Sequence, residues 1–370
     1  MIPAAISLHI FVEAIKQAQS QVPQTANLIQ LNVPVTDHPE SEIMVHHPLD
    51  PISVTKKSPK HEWEFRFVTT GLVKPPKFEN FVSRFRVFAQ ARKDNHDDIA
   101  QWSTRMLLRL WSYNYFKVGR DHNEQFRRLV DVYLCFGGEA GGEQLFDVDS
   151  FDLDDAQRPQ RVNTVYIYSV YDIEAPIQLA RELAHEYGHA VLPPVGPYPS
   201  PENWANGDVG ERIFLKWLRD DLAAGKITSD DICKTPLEQL DQYLAQKVNP
   251  LIMQVGTYGP DFETVNSRTE AGYHAFVALA TYASQIVPNK VFGRALMLGG
   301  SGEQADFHKG LIEAVTEVRT WELSIPVILK NKAIYVPLGQ GKISGAKVLA
   351  RKGSWAKIQP TAEKVIVTNP

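Results

Sequence analysis

Cysteine is almost absent: Cys135 and Cys233 are the only two in 370 residues. That excludes a disulfide framework and a four-cysteine zinc site. A single disulfide between them stays open, but we expect two separate buried thiols packing as small hydrophobes. Long apolar runs are also missing. None approaches the roughly 20 residues that span a bilayer, so no membrane span is expected. Neither sign of charge dominates. With 39 Lys+Arg against 43 Asp+Glu the formal net charge is -4, which gives no electrostatic reason to expect nucleic acid as a partner. No internal repeat or low-complexity segment is visible. The opening residues Met1-Ile2-Pro3-Ala4-Ala5 lack the basic region of a signal peptide. The sequence leaves the compartment unknown: secreted or periplasmic if a signal peptide has been removed, cytoplasmic otherwise. It leaves the oligomeric state unknown as well.

What is present is ordinary for a globular protein: 44% hydrophobic and 22% charged residues, which excludes a largely disordered chain. The length suggests two or three structural units. Hydrophobic periodicity predicts an α+β unit over residues 1–175 with a mixed sheet and helices. A mostly helical unit over 176–325 and a small β appendage over 326–370 follow.

Within the first unit a helix is predicted over 4–20. Strand-like pieces are predicted at 28–33 and 52–55, in a stretch rich in proline and histidine. His38, His46 and His47 fall there and read as loop histidines rather than a surface metal site. Alternation predicts a strand at 63–68. Residues 78–92 fit helix or strand, the second half favouring strand. A strong helix is expected over 97–116 and a β run over 129–136, broken by a glycine-rich turn at 137–142. The acidic run 146–161 lacks the glycine and final glutamate of an EF-hand loop, so a solvated acidic loop is expected rather than a calcium site. A strand rich in β-branched and aromatic residues follows at 162–170.

One motif carries chemistry. His185-Glu186-Tyr187-Gly188-His189 is His-Glu-x-x-His. Residues four apart on a helix share a face, so both imidazoles can reach one metal ion. The intervening glutamate can take a proton from water beside it. Pro176 suits a first helical turn, and Pro193-Pro194 ends a helix. A third protein ligand is needed, and no third histidine follows at metzincin spacing. A carboxylate further along must supply it. Asp208 can be the N-cap of a second helix, with Glu211 completing a capping box. Gly210 beside Glu211 would allow the two helices to approach closely. Glu211 is the first choice, Asp208 and the more distant Glu270 are alternatives, and Glu202 in a proline-rich turn is least favoured.

Residues 85–218, with this motif and a downstream glutamate, resemble the gluzincin class of zinc metallopeptidases. The resemblance implies a zincin-like fold and one Zn2+ per chain. It implies His185, His189 and Glu211 as ligands and Glu186 as general base. The strand at 164–168 is similar to the edge strand that pairs with a peptide substrate in that class, an ordinary core strand being the other reading. The expected activity is hydrolysis of a peptide or protein. A zinc hydrolase of a non-peptide amide, and a zincin-fold binding or scaffold protein without turnover, are the alternatives. Tyr273 and His274 are the first candidates for an oxyanion donor, and the zinc cleft is expected between the first two units.

Overall fold

The computed structural model describes residues 28–30, 42–46, 52–57, 62–91, 97–123, 126, 128–153, 159–170 and 175–370. The helix expected over 4–20, together with His38 and His47, lies outside them. The chain forms two compact units. The first comprises residues 1–112, 121–191 and 217–239, and the second residues 113–120, 192–216 and 240–370.

An eight-stranded sheet organises the first unit. Its strands are β1 (Leu28–Gln30), β2 (Glu42–His46), β3 (Ile52–Lys57), β4 (Glu62–Lys74), β5 (Val82–Gln90), β6 (Val130–Leu134), β7 (Gly141–Leu153) and β8 (Pro159–Tyr168). They run in the order β1-β2-β4-β5-β6-β8-β7, with β3 also on β4. The pairs β5–β6 and β6–β8 are parallel and the others antiparallel, so the sheet is mixed. The helix Asp97–Tyr113 makes the crossover between β5 and β6, which parallel neighbours require. Its expected apolar face is buried at Ala100, Met106, Leu107, Leu110 and Trp111.

Two strand expectations need correction. The strand at 164–168 is not an edge: β8 lies between β6 and β7. The edge is β7, formed by the second half of the glycine-rich turn and much of the acidic run. Side-chain chemistry explains how acidic residues sit in a strand. Alternate residues of a strand share a face. Glu143 and Asp147 lie on the face with the buried Tyr168 and Tyr166, whose hydroxyls donate to them at 3.0 and 3.1 Å. That face carries an aromatic cluster, including Phe65, Phe88, Tyr133 and Tyr166. Phe88 stacks on Tyr133 at 4.6 Å and Tyr133 on Tyr166 at 5.1 Å. A buried phenol needs an acceptor, and the carboxylates of β7 provide one for each.

The second unit holds the helices Asn249–Tyr258, Glu270–Ile286, Asn289–Gly299 and Phe307–Glu317. It also holds two three-stranded sheets. One has the order β10 (Ile334–Pro337), β13 (Trp355–Pro360), β12 (Ala346–Lys352). The other has β11 (Lys342–Ser344), β14 (Val365–Thr368), β9 (Thr320–Leu323). The C-terminal strands close the end of the helix Phe307–Glu317. Asn369 donates to the carbonyls of Val315 and Val318, both at 2.6 Å, which are acceptors a helix end leaves open. Trp355 Nε1 donates to His308 Nε2 at 2.9 Å. Cys135 and Cys233 are both free and buried, as expected. Among the described residues no helix is long and apolar enough to cross a membrane.

Candidate metal centre

The motif lies on the helix Pro176–Val191, which begins at the expected proline. Ile177, Ala180, Leu183, Ala184 and Tyr187 are buried at helical spacing and fix which face turns inward. His185 and His189 project one turn apart, and their Nε2 atoms lie 3.2 Å from each other. The rings are edge-on, with centroids 4.9 Å apart. Two nitrogens bound tetrahedrally to one zinc at about 2.0–2.1 Å stand roughly 3.3 Å apart. This separation suits a shared zinc ion, and it is equally that of a hydrogen bond between the two rings.

Glu186 is buried and turns toward the edge strand. A Cβ added at Gly142 would lie 2.5 Å from Glu186 Oε1 and 2.7 Å from its Cδ. A side chain at this position would make the Glu186 carboxylate shift, so glycine there leaves room for it by close approach rather than by backbone angle. The sequence reading placed Gly142 in a turn. A glycine pair opening a strand is the signal for such an approach.

Two further contacts hold the motif helix. Asn163 of β8 donates to the Ala190 carbonyl at 2.9 Å, and Gln144 of β7 donates to Asn163 at 2.7 Å. The end of the helix is thereby tied to the edge strand. Tyr187, next to Glu186, bonds through its hydroxyl to His122 Nε2 at 2.9 Å. His122 Nδ1 lies 3.1 Å from the Arg128 carbonyl, which only accepts. Nδ1 therefore carries the proton, and Nε2 accepts that of Tyr187. Burial pushes the His122 imidazole down to about 4, against the opposing pull of Asp121. Burial also holds the Tyr187 phenol well above its ordinary value. Asp121 in turn takes a bidentate pair from Arg84, at 2.9 and 2.7 Å, and the Trp111 indole at 2.9 Å. His122 and Asn163 were not singled out from the sequence, because neither belongs to a motif and only the fold brings them to the helix.

The carboxylate candidates belong to the second unit. The helix carrying two of them runs Asn206–Ala223. Its first helical residue comes three positions earlier than the capping-box reading required. Asp208 is inside the first turn, where an acid suits the helix dipole, and pairs with Arg212 one turn on. Glu211, the sixth helical residue, is too far along to complete a capping box. It is 5% exposed, and Gly210 beside it is buried. Glu202 accepts from the Tyr273 hydroxyl at 3.2 Å. Burial first, and then Asp208 and Glu202, push that phenol upward. Tyr273 is thus fully buried and already engaged with carboxylates. Glu270 and His274 are exposed by 63% and 62% and face each other at 4.0 Å. The His274 ring lies edge-on to that of Tyr273, with centroids 5.5 Å apart. Comparison with known proteins adds no name: no family profile matches the chain, and neither does any curated protein.

Proposed function

We propose that this chain is a zinc-dependent hydrolase, a metallopeptidase of the gluzincin class with a zincin-like arrangement of mixed sheet, motif helix and ligand helix. His185 and His189 hold one zinc ion through Nε2, Glu211 is the third ligand, and Glu186 is the general base. The observation that carries the reading is the 3.2 Å between the two Nε2 atoms, the separation that a shared zinc needs. Among Glu202, Asp208 and Glu211 the last is preferred because it is the most buried, where a bound cation would offset the cost of desolvating its charge.

Zinc bound there supplies Lewis acidity toward water and a scissile carbonyl. The protein's own part is proton transfer and placement. Glu186 takes the proton of the attacking water on a carboxylate oxygen and returns it to the leaving amine. Gly142 leaves room for that carboxylate, and the chain Gln144–Asn163–Ala190 keeps the edge strand in register with the helix. Among the described strands β7 pairs only with β8, so its outer edge offers backbone N–H and C=O groups to an extended peptide. Glu186→Gln keeps the shape and removes the base. Turnover of an unfolded protein such as casein should fall about 10²–10⁴-fold with zinc retained. Undiminished turnover in that variant would remove the assignment of the base. Zinc binding without any casein cleavage by the native protein would point instead to a non-peptide amide or to a binding role.

A further inference from the structure

Residues 326–370 carry eight Lys and Arg side chains and one acidic one, Glu363, in a chain whose overall charge is -4. Among the described residues Lys364 forms an ion pair with Glu322 at 3.5 Å, and Lys352 lies close enough to Asp261 to help hold its carboxyl below the usual range. Three of the eight are gathered on one face by strand register. Directly opposed residues of an antiparallel pair share a face. Lys347 opposes Gln359, Ala350 opposes Lys357, and Lys352 opposes Trp355. Residues 355, 357 and 359 alternate along β13 and so point the same way. Lys347 and Ala350, three residues apart, would ordinarily point to opposite faces. The bulge between Val348 and Ala350 absorbs one residue and returns Lys347 to the face of Lys357 and Lys352.

The result is a row of cations. Along the strand direction Lys347, Lys357 and Lys352 follow one another at two-residue steps of about 6.7 Å. Two of the ammonium groups are held in advance: Lys352 Nζ lies 4.6 Å from the centre of the Phe262 ring, and Lys357 Nζ 5.3 Å from that of Tyr335. Placing them costs a ligand less ordering entropy. Val348 and Leu349 beside them are 39% and 49% exposed. The edge of β12 itself is a poor site for strand addition, since a bulge and lysines are what blunts an edge. The face remains.

We propose that this face docks an extended acidic polypeptide with carboxylates on alternate residues. Side chains on one side of an extended peptide repeat every two residues, at the same step of about 6.7 Å. Seven of the eight cations are lysines, and Trp355 is buried, so it offers no face for base stacking. The inference stands apart from the zinc reading.

The test uses the full chain and two labelled octapeptides of equal composition and charge, Glu-Thr repeated four times and Glu-Glu-Thr-Thr repeated twice. Fluorescence anisotropy at low salt should show the alternating peptide binding at least about tenfold more tightly. The triple variant Lys347→Ser, Lys352→Ser, Lys357→Ser, at two exposed positions and one half-buried one, should lose that binding. Glu186→Gln should keep it, which separates docking from catalysis. Equal affinity for the two peptides would overturn the proposal, and so would binding that survives the triple variant. Capture of heparin or of phosphatidylserine vesicles in place of either peptide would overturn it too, making the face a site for another polyanion.

Discussion

Gly142 and Glu186 approach so closely that a single methyl group at position 142 would displace the carboxylate: a Cβ there would stand 2.5 Å from Glu186 Oε1. An edge strand and a helix meet at a point where one residue has no side chain and the other carries the proposed base. Gly142→Ala should therefore push Glu186 aside without touching either histidine. A displacement of about 1 Å is worth roughly 10²-fold in rate. Casein turnover should fall by about that factor at unchanged zinc content. Wild-type turnover in Gly142→Ala would show that the contact does not position the base.

His122 makes the stability of the first unit depend on pH. Its imidazole is held at about 4, against an ordinary value of 6.5, chiefly by burial. Between those values the unfolded chain binds a proton that the native protein does not. Stability is therefore full above pH 6.5 and falls as pH drops toward 4, by up to about 3 kcal/mol. Urea unfolding at pH 7 and at pH 4.5 measures the difference, and His122→Gln should shrink it. Tyr187→Phe should destabilise the protein at neutral pH by about 1–3 kcal/mol, because His122 Nε2 then has no donor.

The metal motif and its helix were legible because their signal is local. Pro176, the apolar spacing and His185-Glu186-x-x-His189 lie within one stretch of chain and settle a helix with two histidines on one face. The β7 edge was not legible. Asp147 and its acidic neighbours read as a solvated loop, and nothing nearby in sequence reveals that Tyr166 and Tyr168 supply their hydrogen-bond donors. The inner position of β8 was hidden for the same reason, since strand order is a long-range property. The ligand helix starts three residues before the position that Asp208 as N-cap requires, since Asp208 fits the first turn of a helix as well as its cap. That shift removed the capping-box role from Glu211. His122 serves as an anchor only once β5, the crossover helix and the motif helix are assembled.

Asn163 should be the most sensitive of the uncharged polar residues around the motif helix. It takes a hydrogen bond from Gln144 and gives one to the Ala190 carbonyl. Asn163→Ala leaves both partners short, at a cost of about 1–3 kcal/mol. Chemical denaturation reads the stability loss. Hydrogen exchange should show faster opening at the β7 amides than at the β5 amides. Uniform exchange across both strands would mean that the tie does not hold the edge.

The third ligand is separable by substitution. Glu211→Ala should lose zinc. Asp208→Ala should lose its pairing with Arg212 and its contact with the Tyr273 hydroxyl but keep zinc, and Glu202→Gln should keep it as well. Equilibrium dialysis against zinc compares the three. Loss of zinc in Asp208→Ala with retention in Glu211→Ala would transfer the ligand role to Asp208, and loss in Glu202→Gln alone would transfer it to Glu202.

The central claim is that His185 and His189 share one zinc ion, and metal stoichiometry tests it most directly. Elemental analysis of the purified chain, dialysed free of loosely bound metal, should give about one zinc per chain. His185→Ala should give close to none, because two remaining protein ligands do not hold zinc tightly. A native protein without zinc after exposure to it, or a His185→Ala variant that still carries one zinc per chain, would contradict the account.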